Sequence, residues 1–418
     1  MKIDLHPPTR KRTLAALVLA FAVIYAGATM REFAAAWLGS RPELKSLQRA
    51  AWLDPGDADY RYHLGRYYDL VLRDPSTALD HYRAAVELNP HSARFWFDLA
   101  SAYQVLGDTA SQTAALERAI QADSMTPDVA WEAANLYVVQ GKNDQALREF
   151  RVVMANDPSL VSTAVQVCWR INPYVDVLLR DAIPQNADAY LAFLTLLEAK
   201  EETAGTFKVW DALMATRQPF ELRHVYDYLR FLIQHKEVDQ AVTVWRQAAA
   251  RFGLSSYLPS SSNMIVNGTF SLNVLNGGFD WQYQKQSGVT LTLDNSDFHA
   301  GTRSLLIALD GPGINDAGIY QLIAVQPNTT YQLSAFYKNG ELEGAGGMHL
   351  TVQDMYSQAI YYDSDELKNA GFWKSVNGEF TTSPDCKLVV LHLRRLPPGS
   401  PIRGKLWIDD LHLTRKPS

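Results

Sequence analysis

The sequence predicts an α + β multidomain chain: an N-terminal transmembrane helix, an α-solenoid of repeats, and a C-terminal antiparallel β-sandwich of the jelly-roll type. Three observations predict it. Thr13 to Met30 runs for 18 residues without a charge, behind Lys2, Arg10, Lys11 and Arg12. Tyr103 and Tyr137, Gly107 and Gly141, and Pro90, Ser124 and Pro158 recur at a spacing of 34 residues. Beyond Asn263 the apolar residues alternate in short runs separated by Gly, Asn, Asp and Pro, which marks strands rather than helices.

The totals agree with this layout. A chain of 418 residues is long enough for two or three domains, and 47% hydrophobic content supplies packed cores. Net charge is −6, and the part from Asn263 onward carries 12 Lys and Arg against 15 Asp and Glu. No basic stripe stands out, which argues against nucleic acid as a partner. The two cysteines, Cys168 and Cys386, fall in different expected domains, so no intrachain disulfide is expected.

At the N-terminus, a basic segment (1–12) followed by an apolar one (13–38) is a membrane-insertion or secretion signal. Two readings fit. Ala26-Gly27-Ala28 has the small-x-small form of a cleavage site. Left uncleaved, the segment is long enough to span about 30 Å of hydrocarbon. The anchor is the preferred reading, because Phe33 to Leu38 prolongs the apolar helix past Arg31 and Glu32 and nothing breaks it before Gly39. Basic residues ahead of the span then leave the N-terminus in the cytoplasm and the bulk of the chain outside it. For a bacterium this means a single-pass protein of the inner membrane facing the periplasm.

The helical arm is expected over 42–252. One copy of its repeat carries Trp96, Leu99, Ala100, Tyr103, Gly107, Leu116 and Ala119; the next carries Ala134, Tyr137, Gly141, Ala146, Phe150 and Pro158. An earlier copy has Leu64, Gly65, Tyr68, Ala78, Tyr82, Ala85 and Pro90, with one residue inserted near Asp74-Pro75. This pattern resembles the tetratricopeptide repeat, departing from it at Gln112 and Val153, where Ala is usual. The resemblance implies stacked helix pairs that dock other proteins. About six pairs are expected, ending near Phe252. His81, His224 and His235 stand apart, and Cys168 sits in an apolar run, so no metal or thiol chemistry is expected here.

A serine-rich stretch at 253–262 marks a boundary before the second domain, 263–418. There Val289–Leu293, Ser304–Leu309, Tyr331–Tyr337, Met348–Val352, Leu388–Leu393 and Lys405–Leu413 read as strands. The succession Asn267-Gly268-Thr269-Phe270, Gly278-Phe279-Asp280-Trp281, His299-Ala300-Gly301-Thr302-Arg303-Ser304-Leu305, Ile319-Tyr320-Gln321, Val325 to Tyr331, and Gly404 to Leu411 is similar to carbohydrate-binding modules of the galactose-binding-like jelly-roll fold. That resemblance implies a sugar cleft across one sheet. Sugars pack C–H faces on aromatic rings and direct hydroxyls at polar side chains. Candidates are Trp281, Tyr283, Gln321, Gln353, Tyr356, Tyr361, Tyr362, Trp373 and Arg394, with packing in the core the alternative role for the aromatics. The resemblance also implies a structural calcium, with Asp409 as its carboxylate and the carbonyls of Gly268 and Thr302 contributing. Ser271 stands where the family commonly has Glu, and His299 is a poor ligand for a hard cation. Capping of backbone donors is the alternative role for Asp409 or Asp410.

No HExxH, GxSxG, Walker or CxxC pattern occurs. The expectation is therefore a non-enzymatic envelope scaffold or adaptor. It docks proteins through its repeats, contacts polysaccharide through its jelly roll, and serves surface polysaccharide assembly or export. The rival expectations are a purely structural interaction module with no sugar binding, and a polysaccharide-active enzyme.

Overall fold

The structure, a computed structural model, describes residues 8–416; of the expected cytoplasmic segment 1–12, residues 1–7 lie outside the described residues. Contacts divide the chain into two compact units, 1–200 with 204–216, and 201–203 with 217–418.

The first unit is helical. Helix α1 (Pro8–Gly39) is continuous for 32 residues. From Lys11 to Gly39 it is long and apolar enough to cross a membrane, and its most apolar stretch is unburied. Its last turns are different: Ala35 is fully buried and Leu38 packs with it against Leu47, Ala50 and Ala51 of α2 (Leu44–Leu53). Helix pairs follow, α3 (Ala58–Arg66) with α4 (Pro75–Leu88), α5 (Ala93–Val105) with α6 (Thr109–Ala122), and α7 (Pro127–Val139) with α8 (Asn143–Asn156). Then come α9 (Val161–Ile171), α10 (Val175–Asp181), α11 (Ala187–Ala199) and α12 (Thr203–Ala215), with α9 packed against α8 and α11.

Local chemistry sets these boundaries. Gly107 and Gly141 adopt left-handed φ values of 76° and 72° after the first helix of their pairs, which glycine does without strain. Asp74 and Asp108 cap the second helices by accepting from Thr77 N and Ser111 N. Tyr82, Ala85, Leu116, Ala119, Tyr137, Ala146 and Phe150 are all buried, so the repeated residues are the ones that make the pairs cohere. Burying a side chain such as Phe150 contributes about 1.5–3 kcal/mol. The inserted residue is not taken up at Asp74-Pro75. It is absorbed just before, where α3 widens into a π-helical turn over Tyr67–Val71.

The second unit opens with a further helix pair, α13 (Leu222–Gln234) and α14 (Val238–Phe252). Gly253 ends α14 at φ 69°, and the serine-rich stretch forms a short 3-10 turn, Ser255–Tyr257, whose Tyr257 carbonyl accepts from Trp245 Nε1. Among the described residues, ten strands build the sandwich: β1 (Gln282–Tyr283), β2 (Val289–Asp294), β3 (Ser304–Gly313), β4 (Asp316–Ala324), β5 (Thr330–Gly344), β6 (Gly347–Asp354), β7 (Ile360–Asp363), β8 (Lys374–Thr381), β9 (Leu388–Leu396) and β10 (Pro401–Arg415). One sheet has the order β1-β4-β9-β6-β7 and the other β2-β3-β10-β5-β8, with all pairs antiparallel. Between them lies the core, including Ile319, Ile323, Leu350, Val352, Leu391 and Leu393 from the first sheet and Ile307, Leu333, Leu406 and Ile408 from the second. Strands β1, β4, β7 and β8 are additional to those named from alternation.

Candidate glycan-binding groove

The strand registers of the first sheet place a row of polar side chains straight across it. Gln282 of β1 opposes Tyr320 of β4, Tyr320 opposes His392 of β9, His392 opposes Thr351 of β6, and Thr351 opposes Asp363 of β7. Alternation in a strand sends neighbours to opposite faces. Ile319, Leu391, Leu393, Leu350 and Val352 fill the core, so this row lies on the outer face.

Hydrogen bonds tie the row together. Tyr320 OH donates to Gln282 Oε1 at 3.1 Å, and Thr351 Oγ1 donates to Asp363 Oδ1 at 2.7 Å. His392 Nδ1 meets Asp316 Oδ2 at 2.7 Å, and the other oxygen of Asp316 accepts from Gly318 N. A carboxylate only accepts, so Nδ1 carries the proton. His392 Nε2 is left buried and without a partner. Burial raises the Tyr320 phenol above its ordinary value.

Helix α13 lies over part of this face. Its Tyr226, Leu229, Arg230, Ile233 and Gln234, on one side of the helix by their spacing, enclose a cavity of about 580 Å³ together with Gln282, Asp316, Tyr320, Leu322, Val390 and His392. The packing around it is close. Gly278, at φ 64°, leaves no room for a Cβ against the Trp245 ring, and Gly277 leaves none against Tyr226. Tyr356 OH donates to the Ile233 carbonyl at 2.9 Å, and Lys387 pairs with Asp239 at 2.6 Å. A second, shallower hollow of about 490 Å³ shares Asp316 and His392 and continues over Gln353, Gln358, Ile360 and Arg394. Asp316 and His392 border both hollows on this face.

Only some of the candidates named from the sequence meet here. Gln353 and Arg394 line the open hollow, and Gln353 is hydrogen-bonded to Gln358 at 3.0 Å. Tyr356 sits at the end of α13, under the Lys236 ammonium. Tyr361 stacks on Phe380, and its hydroxyl is hydrogen-bonded with Asp354 and with the Ser383 hydroxyl, and Tyr362 reaches the Asn377 carbonyl. Tyr283 is exposed at the edge, on the strand position after Gln282.

Trp281 and Gln321 point inward. Trp281 is 3% exposed, packs against Phe270 and donates to the Asn267 carbonyl. Gln321 is fully buried and holds both the N–H and the carbonyl of Val266. Burial takes both out of reach of a ligand. Trp373 lies with the other sheet, edge-on to His299, whose ring stacks on Phe336. Alternation within LVVLHLRRL signals His392, since His and Arg break an apolar run at every second position. Nothing in the sequence signals Arg230 and Gln234, which reach the groove from a helix.

The residues proposed for calcium do not fit a cation. Asp409 is fully buried, and its carboxylate accepts three backbone N–H groups: His299 at 2.7 Å, Ala300 at 2.8 Å and Asp410 at 2.7 Å. The Gly268 carbonyl accepts from Leu411 N at 3.0 Å. Thr302 N donates to Ser271 Oγ, and the Arg303 guanidinium holds Ser271 O and Asn273 Oδ1. The Asp409 carboxylate and the Gly268 carbonyl, oxygens a divalent ion would need, are thus already engaged by backbone N–H donors. Asp409 acts as a cap that joins the 299–300 turn to β10. Desolvation raises its pKa even so.

Residues 262–396 match a family model described as a carbohydrate binding domain. Among solved structures, the chain is similar to a carbohydrate-binding module described under "CBM4 structure and function", with 17% identity over 36% of this chain and 99% of that one and a TM-score of 0.29. It is similar to MamA with 20% identity over 38% of this chain and 88% of that one, at a TM-score of 0.30. It is similar to YrrB, a TPR protein with an unusual peptide-binding site, with 18% identity over 41% of this chain and 75% of that one, at a TM-score of 0.25. No curated protein matches the chain.

Proposed function

We propose that the protein is a non-enzymatic, membrane-anchored adaptor that binds glycan on the outer face of the β1-β4-β9-β6-β7 sheet and docks envelope proteins on its helical repeats, in the assembly or export of a surface polysaccharide. One observation carries the reading: the family match over 262–396 coincides with a sheet whose outer face bears a polar row and a groove. Tyr320 offers a ring, and Gln282, Gln353, His392 and Arg394 offer hydrogen-bonding groups of the kind that orient sugars. Helix pairs of the kind in the first unit stack into surfaces that bind proteins. The apolar α1 supplies the tether, in the bacterial inner membrane with the bulk of the chain on the periplasmic side.

The non-catalytic part of the proposal rests on the groove's chemistry. Asp316 is the carboxylate that lines the enclosed cavity, and His392 and Gly318 occupy its oxygens. Glycoside hydrolysis ordinarily requires two carboxyl groups flanking the bond.

The test is a glycan array probed with the full chain in detergent. Binding to at least one polysaccharide class is expected, and weaker binding after Tyr320→Ala. A second reading, in which the jelly roll only packs against helices, is favoured by the apolar Leu322 and Val390 that line the cavity opposite α13 and by the Tyr356 bond to the Ile233 carbonyl. Absence of binding to every glycan on the array would establish that second reading instead.

A further inference from the structure

We infer that α13, a repeat helix by its sequence, is one wall of the glycan site, and that the enclosed part of the groove accepts a neutral, polyhydroxylated saccharide segment rather than an acidic one. This rests on the reading of the sheet's outer face as the glycan surface.

The wall is visible in the geometry. Leu229 and Ile233 give α13 an apolar inner side, while Arg230 and Gln234 stand exposed at the lip. A cavity of about 580 Å³ falls within the range of about 300–1,000 Å³ usual for small-ligand sites, enough for a mono- or disaccharide segment. The shared residues Asp316 and His392 let a longer chain continue into the open hollow.

The selectivity follows from charge. Within the enclosed part, Arg230 lies 3.1 Å from Asp227, and Asp316 accepts a hydrogen bond from His392 Nδ1 at 2.7 Å. Apart from Arg230, which stands exposed at the lip beside Asp227, no Lys or Arg is among its described lining residues. Arg394, which has no ionic partner among the described residues, belongs to the open hollow. What remains in the enclosed part is a set of amides, Gln234, Asn276, Gln282, Gln284 and Gln286. Each amide can donate and accept, as a sugar hydroxyl does. His392 Nε2 is the sharpest feature. It is a buried acceptor with nothing to accept from, and a buried polar atom left unpaired is costly. This Nε2 is closed to solvent in this packing, so a ligand hydroxyl donates to it only with a side-chain shift in the wall.

The experiment compares binding of neutral oligosaccharides (cello-, xylo- and manno-oligosaccharides) with uronic-acid oligosaccharides (oligogalacturonate, alginate fragments), using the full chain in detergent. Wild type is expected to bind a neutral series. Gln234→Ala, at an exposed position, should weaken it about threefold, and Gln234→Trp, which fills the lip, should abolish it. His392→Phe should weaken it about tenfold, the worth of one hydrogen bond to a buried acceptor. Circular dichroism should be unchanged in all three. Neutral binding that ignores both Gln234 variants overturns the wall while leaving the glycan reading intact. Binding confined to the uronic acids overturns the selectivity. No binding by wild type overturns the glycan reading itself, and this inference with it.

Discussion

Arg395 is fully buried with no carboxylate at ion-pair distance among the described residues. Its guanidinium donates to the carbonyls of Gly347, Leu396, Ala345 and Pro401, so one side chain fastens the β5–β6 turn to the β9–β10 turn. Desolvation lowers its pKa. Arg395→Ala would strand several buried carbonyls at about 1–3 kcal/mol each, so a loss of at least about 3 kcal/mol is expected in urea unfolding. Asp280 is a different case. It is fully buried, one oxygen accepts from Leu275 N, the other has no partner, and burial pushes its carboxyl up to about 6 from an ordinary 3.8. As pH rises the unfolded chain releases this proton first, so between about 4 and 6 the folded state holds more protons and loses stability. Asp280→Asn keeps an acceptor for Leu275 N and removes the charge. Its stability gain over wild type should be larger at pH 7.5 than at pH 4.5 by about 2 kcal/mol, and equal gains at both pH values would refute the assignment.

At the scale of elements, close approach governs the helix pairs. A Cβ on Gly65 would lie 2.6 Å from the ring of Tyr82, across the α3–α4 contact. Gly65→Ala is therefore expected to cost about 1–3 kcal/mol through overpacking, despite the better helix propensity of alanine, and a raised melting temperature would count against that packing. The repeat was legible because each copy buries the same residues, Leu64, Tyr82, Leu116 and Phe150 among them. The π-turn at Tyr67–Val71 was legible only as a one-residue slip in phase, since propensity does not say which turn widens. Strand β4 was not legible from alternation for a related reason. Ile319 and Ile323 face the core, but Leu322 on the other face lies beneath α13, so the apolar residues run together. Strands β7 and β8 failed in the opposite way, being edge strands with few buried positions. The same covering explains the site. The sequence pattern could point to a sheet, and to Gln353 and Arg394 upon it, but which aromatic faces inward depends on register, and a helix wall depends on tertiary packing.

At the scale of the whole molecule, the N-terminal helix changes character at about Glu32. From Lys11 up to there its side chains are exposed, as a membrane span requires. Beyond it, Ala35 and Leu38 cover Leu47, Ala50 and Ala51 on α2 and serve as the first layer of the helical unit. This division predicts the outcome of two truncations. Removing residues 1–31 should leave a protein that no longer sediments with membranes yet unfolds at nearly the temperature of the parent. Removing residues 1–40 should release it equally but lower the unfolding temperature, because three buried side chains of α2 then face water at a cost of about 25 cal/mol per Å² of apolar surface. The two truncations falling together in stability would mean that the last turns of α1 do not cap the unit. The same cap survives either fate of the segment, since cleavage after Ala28 would leave Thr29–Gly39 in place. Mass spectrometry of the protein recovered from cells decides between those fates. An N-terminus at or next to Met1 is expected for the anchor, and one at Thr29 would replace the anchor with a released periplasmic protein carrying the same capped helical unit.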